Sequence, residues 1–248
     1  MIDKQLKIKI IKEYIPVALM AILNLIFSIV FKQQFIKVLP VFITIIVMLL
    51  SSRANRYAFL LAGTNCCIYC IGYAMTGVYS SVASSLYQAV LSVISFFLWS
   101  RRAYGNSTIL RCLKNNVRII LVIVIVIAWM ITYFVTSKVP GATLPIIDSL
   151  IFALGVITTI LSMLAFVETP FLNLFAQILS IGMWIYITIQ NGLQDMTYVT
   201  ASVYNLYMII LMCITYAKLY KQQQAEKQIN STQIIVDAEK ESDSISHQ

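Results

Sequence analysis

Charge is what this sequence has least of. Only 11% of its 248 residues are Asp, Glu, Lys or Arg, against about 25% in soluble domains. So few charges cannot coat a water-facing surface, which excludes a soluble globular protein. Histidine is nearly absent: the single one, His247, sits at the polar C-terminal end and carries no assignable chemistry. No ionisable residue falls in the middle of any long apolar run. Asp148 and Glu168 come nearest, and both lie close to run ends. Missing, then, is the mid-membrane titratable group of proton-coupled carriers. The Ser–base pair, paired aspartates or His-rich metal set of intramembrane hydrolases is missing too. No Walker-type glycine loop is present. Cys66, Cys67 and Cys70 imitate a C-x-x-C motif, but no His accompanies them and no second pair has ligand spacing. Within an apolar run they read as small, polarizable packing residues. Cys112 and Cys213 are isolated, so no disulfide framework is indicated. These absences argue against an enzyme, a cofactor or metal protein and, less strongly, an active pump. A sodium site made only of carbonyls and hydroxyls stays compatible with them.

What is abundant is apolar surface, at 60% of residues. A bilayer core takes about 20 apolar residues per helical span. Eight such runs are visible, at 14–31, 37–52, 57–76, 82–100, 117–136, 145–166, 170–190 and 197–218. The expected fold class is an all-α integral membrane protein with eight transmembrane helices. A basic leader (Lys4, Lys7, Lys9, Lys12) precedes the first run, and no small-residue cleavage site follows it, so the first helix reads as uncleaved. The net charge of +8 does not form a nucleic-acid patch, because the basic residues sit at the ends of apolar runs. With the N-terminus inside and eight alternating spans, only Lys32, Lys37 and Lys138 of the 18 Lys and Arg residues fall outside. That asymmetry places both termini in the cytoplasm of a cell whose plasma membrane the chain crosses. Trp99 and Trp129 read as interfacial anchors. From about Gln222 the chain turns polar, which reads as a disordered cytoplasmic tail over 221–248.

The chain also repeats itself. Residues 55–99 and 169–216 each give a helix, a short outer loop with a glycine (Gly77, Gly192) and a helix bearing an aromatic–amide pair, Tyr87-Gln88 or Tyr204-Asn205. Tyr87 to Trp99 and Tyr204 to Tyr216 are both twelve residues. The runs before these units open on Leu39-Pro40 and Leu144-Pro145. The expected organisation is therefore a leader and extra helix (1–36), a three-helix repeat (37–102), a cytoplasmic loop and connector helix (103–140), a second three-helix repeat (141–220) and the tail. An odd connector lets both repeats keep one orientation around an axis along the membrane normal.

On Asn65, Gly77-Val78-Tyr79 and Trp99-Ser100-Arg101, followed by Leu144-Pro145-Ile146-Ile147-Asp148-Ser149 and Val167-Glu168, the chain resembles the PnuC-type bacterial vitamin transporters over about residues 37–220. The resemblance implies a passive importer of nicotinamide riboside or a related vitamin or nucleoside, whose cargo a cytosolic kinase traps by phosphorylation. The family's nicotinamide riboside importers carry two Trp residues three apart, then an Asn four residues on, at positions that here hold Pro170, Asn173 and Gln177. A characteristic Gln falls on Ser85, with Gln88 about one turn later, whereas Asn65 matches directly. This departure implies a different flat-ringed cargo, such as riboflavin, thiamine or a deoxynucleoside, with Trp184 stacking from another level.

The residues themselves point to a central site. Asn173, Gln177, Ser180 and Trp184 are spaced four, three and four, which is one helical stripe. Asn65, Tyr69, Gly72, Tyr73 and Thr76 form a second, Ser81 through Ser95 with Gln88 a third, and Tyr198, Ser202 and Asn205 a fourth. Amides are costly in hydrocarbon unless paired, so they should face the bundle interior. The expected substrate-binding set is Asn65, Tyr69, Tyr87, Gln88, Asn173, Gln177, Trp184, Tyr204 and Asn205. Serine stripes also serve close helix packing, and that reading is preferred for the serines of 82–100. The rival to a carrier is a structural or regulatory membrane subunit with no substrate of its own. Amides in both repeats favour the carrier. A homo-oligomer is compatible with the sequence, which does not set the oligomeric state.

Overall fold

A computed structural model describes the backbone of residues 2–30, 35–75, 79–138, 144–190 and 196–246, and the side chains of 14–30, 35, 39–71, 85–138, 144–190 and 199–229. Gly77 and Gly192 lie outside the described residues, as do the side chains of Gly72, Tyr73, Thr76, Tyr79, Ser81, Ser84 and Tyr198.

Among the described residues, eight helices form where the apolar runs predict them: α1 (Ile2–Val30), α2 (Phe35–Ser52), α3 (Tyr57–Met75), α4 (Tyr79–Arg101), α5 (Asn115–Thr136), α6 (Pro145–Met163), α7 (Thr169–Gln190) and α8 (Met196–Ser246). In hydrocarbon every backbone N–H and C=O must be satisfied within its own segment, which a helix does and a loop cannot. Among the described residues, stretches in α5, α6, α7 and α8 are apolar over at least 18 residues, and shorter apolar stretches run through Tyr14–Val30, Leu39–Ser52 and Tyr57–Ile71. Pro40 is tolerated inside α2, and its carbonyl accepts the Thr44 hydroxyl at 2.8 Å.

The helices close on themselves. α2 packs on α3, α3 on α4, α4 on α6, α6 on α7, α7 on α8 and α8 on α2. α1 lies against both α2 and α8, and α5 against α6. No residue of α5 is buried, and Ile119, Val122, Ile123, Met130 and Phe134 are all more than half exposed, a surface suited to lipid rather than water.

The α2–α3 and α6–α7 turns are built alike. At the first, the N–H groups of Ala54 and Asn55 donate to the carbonyls of Ser51 and Leu50 at 2.9 and 3.1 Å. At the second, those of Ala165 and Phe166 donate to Ser162 and Leu161 at 3.0 Å each. Ala54 and Ala165 take the left-handed conformation, with φ of 51° and 62°, that ends a helix in this way. This stops α6 at Met163, three residues short of the expected run. Both alanines are buried in one cluster with Trp99, Leu110, Met212 and Tyr216.

Three sequence expectations are corrected here. The segment after α4 is not a plain loop: β1 (Ala103–Tyr104) and β2 (Ser107–Thr108) pair antiparallel around Gly105, whose φ is 58°. The polar tail does not begin without structure at 221, because α8 continues through it. Gln223 Oε1 accepts the Leu110 N–H and its Nε2 donates to the Thr108 carbonyl, each at 2.9 Å. Tyr104 donates its hydroxyl to Glu226 at 2.5 Å, a bond that pushes the Tyr104 phenol above its ordinary range. Trp99 is no interfacial anchor: it is 1% exposed, with its indole N–H donating to the Ser162 carbonyl at 2.9 Å. Trp129 does stand on the outer helix α5, donating to the Ile146 carbonyl at 3.1 Å.

The candidate transport cavity

Among the described residues, a larger and a smaller chamber lie within the ring. The larger, about 260 Å³, is bounded by Ser51, Ala54 and Asn55 of the first turn, by Phe59, Trp99 and Ser162, by Asn173 and Gln177 of α7, and by Asn205, Met212 and Tyr216 of α8. The smaller, about 190 Å³, is bounded by Thr44, Tyr69, Gln177, Ser180, Trp184, Ser202, Tyr204 and Asn205. Gln177 and Asn205 border both. Among the described residues, no charged side chain lines either chamber.

The α7 stripe behaves as its spacing predicts: Asn173, Gln177, Ser180 and Trp184 all turn toward the chambers. Gln177 Nε2 donates to the Ser202 carbonyl of α8 at 3.2 Å. Asn205 sits one helical turn from Ser202, and its Oδ1 is buried without a hydrogen bond. Tyr204 is 5% exposed; its hydroxyl donates to the Ile45 carbonyl of α2 at 3.1 Å while its ring borders the smaller chamber. Tyr69 borders that chamber too. Asn65 borders neither. Its Nδ2 donates to the Thr44 hydroxyl at 2.9 Å, one residue back from the smaller chamber, and its Oδ1 is buried without a partner.

Tyr87 and Gln88 are placed elsewhere. Tyr87 is 41% exposed, and Gln88 is exposed, accepting only a long contact of 3.8 Å from the Cys66 thiol. The inward face of α4 runs through Ser85, Ala89, Ser95 and Trp99, all buried, and Tyr87 and Gln88 lie off it. Among the described serines of α4, Ser85 and Ser95 are buried and Ser92 faces α3, positions that suit close packing. Ser95 back-bonds to the Leu91 carbonyl at 2.6 Å, and Ser92 lies where a Cβ on Gly63 of α3 would meet it at 3.4 Å. Among the described residues, no three His, Cys, Asp or Glu side chains group as metal ligands. Residues that the sequence reading missed include Ser51, Asn55, Phe59, Thr44, Ser162 and Tyr216. The twelve-residue spacings that end on Trp99 and Tyr216 were the available signal, since both rings face the same cluster with centroids 6.3 Å apart.

A bundle of apolar helices around chambers lined by amides, hydroxyls and aromatic rings fits the class of membrane solute transporters. Comparison with known proteins gives the particular family: over residues 34–218 the chain matches nicotinamide mononucleotide transporters, and it belongs to that family. Its fold is similar to that of the crystal structure of the vitamin B3 transporter PnuC, with a TM-score of 0.70 at 14% identity, covering 85% of this chain and 92% of that one. No curated protein matches by sequence search.

Proposed function

We propose that this protein is an eight-span facilitator that carries an unphosphorylated flat-ringed vitamin or nucleoside down its gradient through the two chambers. The observation that carries this reading is that Gln177 and Asn205 border both chambers, which sets the two side by side within the ring. Among the described residues, a phosphate ester would meet no Lys or Arg in these chambers, which favours an unphosphorylated solute. The two like turns, and the packing of the first helix of each triplet on the last helix of the other, support two parallel three-helix repeats, 37–102 and 141–220. In this reading 1–36 adds an outer helix, 103–140 supplies the connector, 221–248 trails into the cytoplasm, and both termini are cytoplasmic in the plasma membrane.

Asn65, Tyr69, Asn173, Gln177, Trp184, Tyr204 and Asn205 are the residues we assign to recognition, directly or through Thr44. Amide and hydroxyl groups would bond the solute's edge, and Trp184 and Tyr69 would meet its ring. Where the family's nicotinamide riboside importers stack cargo on two Trp residues, this chain has Pro170 and Asn173. The preferred cargo is therefore a ring of another shape, such as riboflavin, thiamine or a deoxynucleoside, which a cytosolic kinase would trap after entry. Calorimetric titration of the purified protein with nicotinamide riboside and with each of these three compounds tests it. Tightest binding is expected for one of the three, and tightest binding of nicotinamide riboside overturns the assignment.

A further inference from the structure

The α4–α5 loop does more than join two helices. It crosses the end of the ring where Ser51, Ala54, Asn55 and Ser162 wall the larger chamber, and its bonds reach three places, the α2–α3 turn, the α6–α7 turn and α8. The Arg56 N–H, at the α2–α3 turn, donates to the Asn106 carbonyl at 3.0 Å. Arg111 brackets the α6–α7 turn, its N–H donating to the Ala165 carbonyl and its own carbonyl accepting from Val167, both at 2.9 Å. Glu168 accepts the Leu113 N–H at 3.0 Å and pairs with Arg118 at 2.8 Å. Gln223 and Glu226 of the α8 extension hold Thr108, Leu110 and Tyr104 as described. Between these ties Leu110, 4% exposed, packs on Ala54, Trp99, Ala165, Met212 and Tyr216. Four of those five, Ala54, Trp99, Met212 and Tyr216, line the chamber, so Leu110 backs its wall.

We infer that this loop is a clamp that holds the loop-side mouth of the larger chamber shut, and that Gln223 and Glu226 are its latch, which must release before cargo can pass that mouth. The inference rests on reading the chambers as a transport path. Its physical basis is connectivity. The loop is bonded at once to a turn of the first triplet, a turn of the second and the end of α8, so those three cannot separate while it stays in place. Gln223 suits a latch: one neutral amide replaces a strand partner, giving and taking a backbone bond at the hairpin. Neutral hydrogen bonds of this kind are individually weak enough to break and re-form during a transport cycle.

The test needs no knowledge of the cargo. Ser51, which borders the larger chamber, is changed to Cys as a reporter in the full-length protein. Right-side-out and inverted membrane vesicles are treated with a membrane-impermeant methanethiosulfonate, and labelling of each cysteine is followed by mass spectrometry. Labelling of the native, exposed Cys112 shows which vesicles present the loop side, whatever the orientation. In those vesicles the reporter should react slowly, and roughly tenfold or more faster when Gln223→Ala and Glu226→Ala are added, the loss of several bonds. Lys227→Ala, exposed on the same extension, should leave the rate unchanged. An unchanged reporter rate in the double variant overturns the clamp. Fast labelling before the latch is removed overturns it as well. Should the double variant not fold, hydrogen exchange on the unaltered protein decides: the amides of Leu110, Arg111, Leu113 and Val167 should be protected, and exchange at the rate of free peptide refutes the clamp. Failure of any proposed cargo to bind would count against the transport reading and leave these rates untouched.

Discussion

Asn205→Leu should raise the stability of the empty protein while weakening its hold on cargo. Asn205 Oδ1 is buried with no hydrogen bond, and an unmade bond at a buried acceptor costs about 1–3 kcal/mol. Leucine removes that acceptor. Its extra volume has somewhere to go, because the side chain borders chambers of about 260 and 190 Å³. A gain of about 1–2 kcal/mol would move the melting temperature up by roughly 2–4 °C for each kcal/mol in a chain of this size. Cargo loses an amide partner at the junction of the chambers, so affinity should fall by about 5- to 150-fold, the equivalent of the same 1–3 kcal/mol. Gln177→Leu is the contrast. Gln177 already has a partner, the Ser202 carbonyl at 3.2 Å, so its loss should lower stability by about 0.5–1.5 kcal/mol along with affinity. Melting curves in detergent and calorimetric titration measure both. If Asn205→Leu lowers the melting temperature as Gln177→Leu does, or leaves binding intact, the reasoning from the orphaned acceptor is refuted.

Trp99→Phe removes the bond to the Ser162 carbonyl and part of a buried ring; the carbonyl keeps the Ala165 N–H, so no acceptor is orphaned, and the loss should be about 1–3 kcal/mol in denaturation. Ala165→Gly should be nearly neutral, because relief of about 1 kcal/mol at positive φ is offset by about 0.8 kcal/mol of lost methyl burial, whereas Ala165→Val should cost more than either; a neutral Val would refute the turn geometry. Uptake into proteoliposomes should equilibrate without a pH or voltage gradient, and accumulation that a protonophore collapses would exclude facilitated diffusion. Cysteines placed at 77–81 and 191–197 should label from outside the cell and native Cys112 should not; the reverse would overturn the topology.

The helices were legible because lipid imposes a length and a composition on each one. The starts of α3, α6 and α7 fall within one residue of the apolar runs. The α7 stripe was legible for a related reason: four polar or aromatic positions on an otherwise apolar helix leave one direction in which to point. Tyr87 and Gln88 show where this fails. The polar positions of α4 spread over a broad arc, and a wheel fixes the angle between residues but not which part of the arc meets a neighbour. The buried serines and Trp99 won that contest by packing against α3 and α6. The loop and the α8 extension were not legible at all. Their bonds join residues 113 and 122 positions apart, Leu110 with Gln223 and Tyr104 with Glu226, and a polar, charged stretch read alone gives no sign of the partner that orders it.

The two turns explain why alanine, rather than the glycine that left-handed backbone favours, ends α2 and α6. Each alanine has to satisfy two demands together. The backbone must reverse within a few residues, which calls for positive φ and would accept glycine at no steric cost. The Cβ, however, faces the cluster that walls the larger chamber, where Ala54 and Ala165 are 1% and 2% exposed beside Trp99 and Tyr216. A methyl group fills that apolar space without bringing in a polar group, as Asn, the other residue common at such a φ, would. The aromatic partners divide the rest of the work unequally. Trp99 is tied through its indole to the end of α6, while among the described residues Tyr216 has no matching bond to Ser51 at the end of α2. The seam between α4 and α6 is therefore fixed by a hydrogen bond and the seam between α8 and α2, at this level, by packing alone. Packing contacts can slide where a buried hydrogen bond must break, so a motion that opens this end of the ring meets less resistance along α8 and α2 than along α4 and α6.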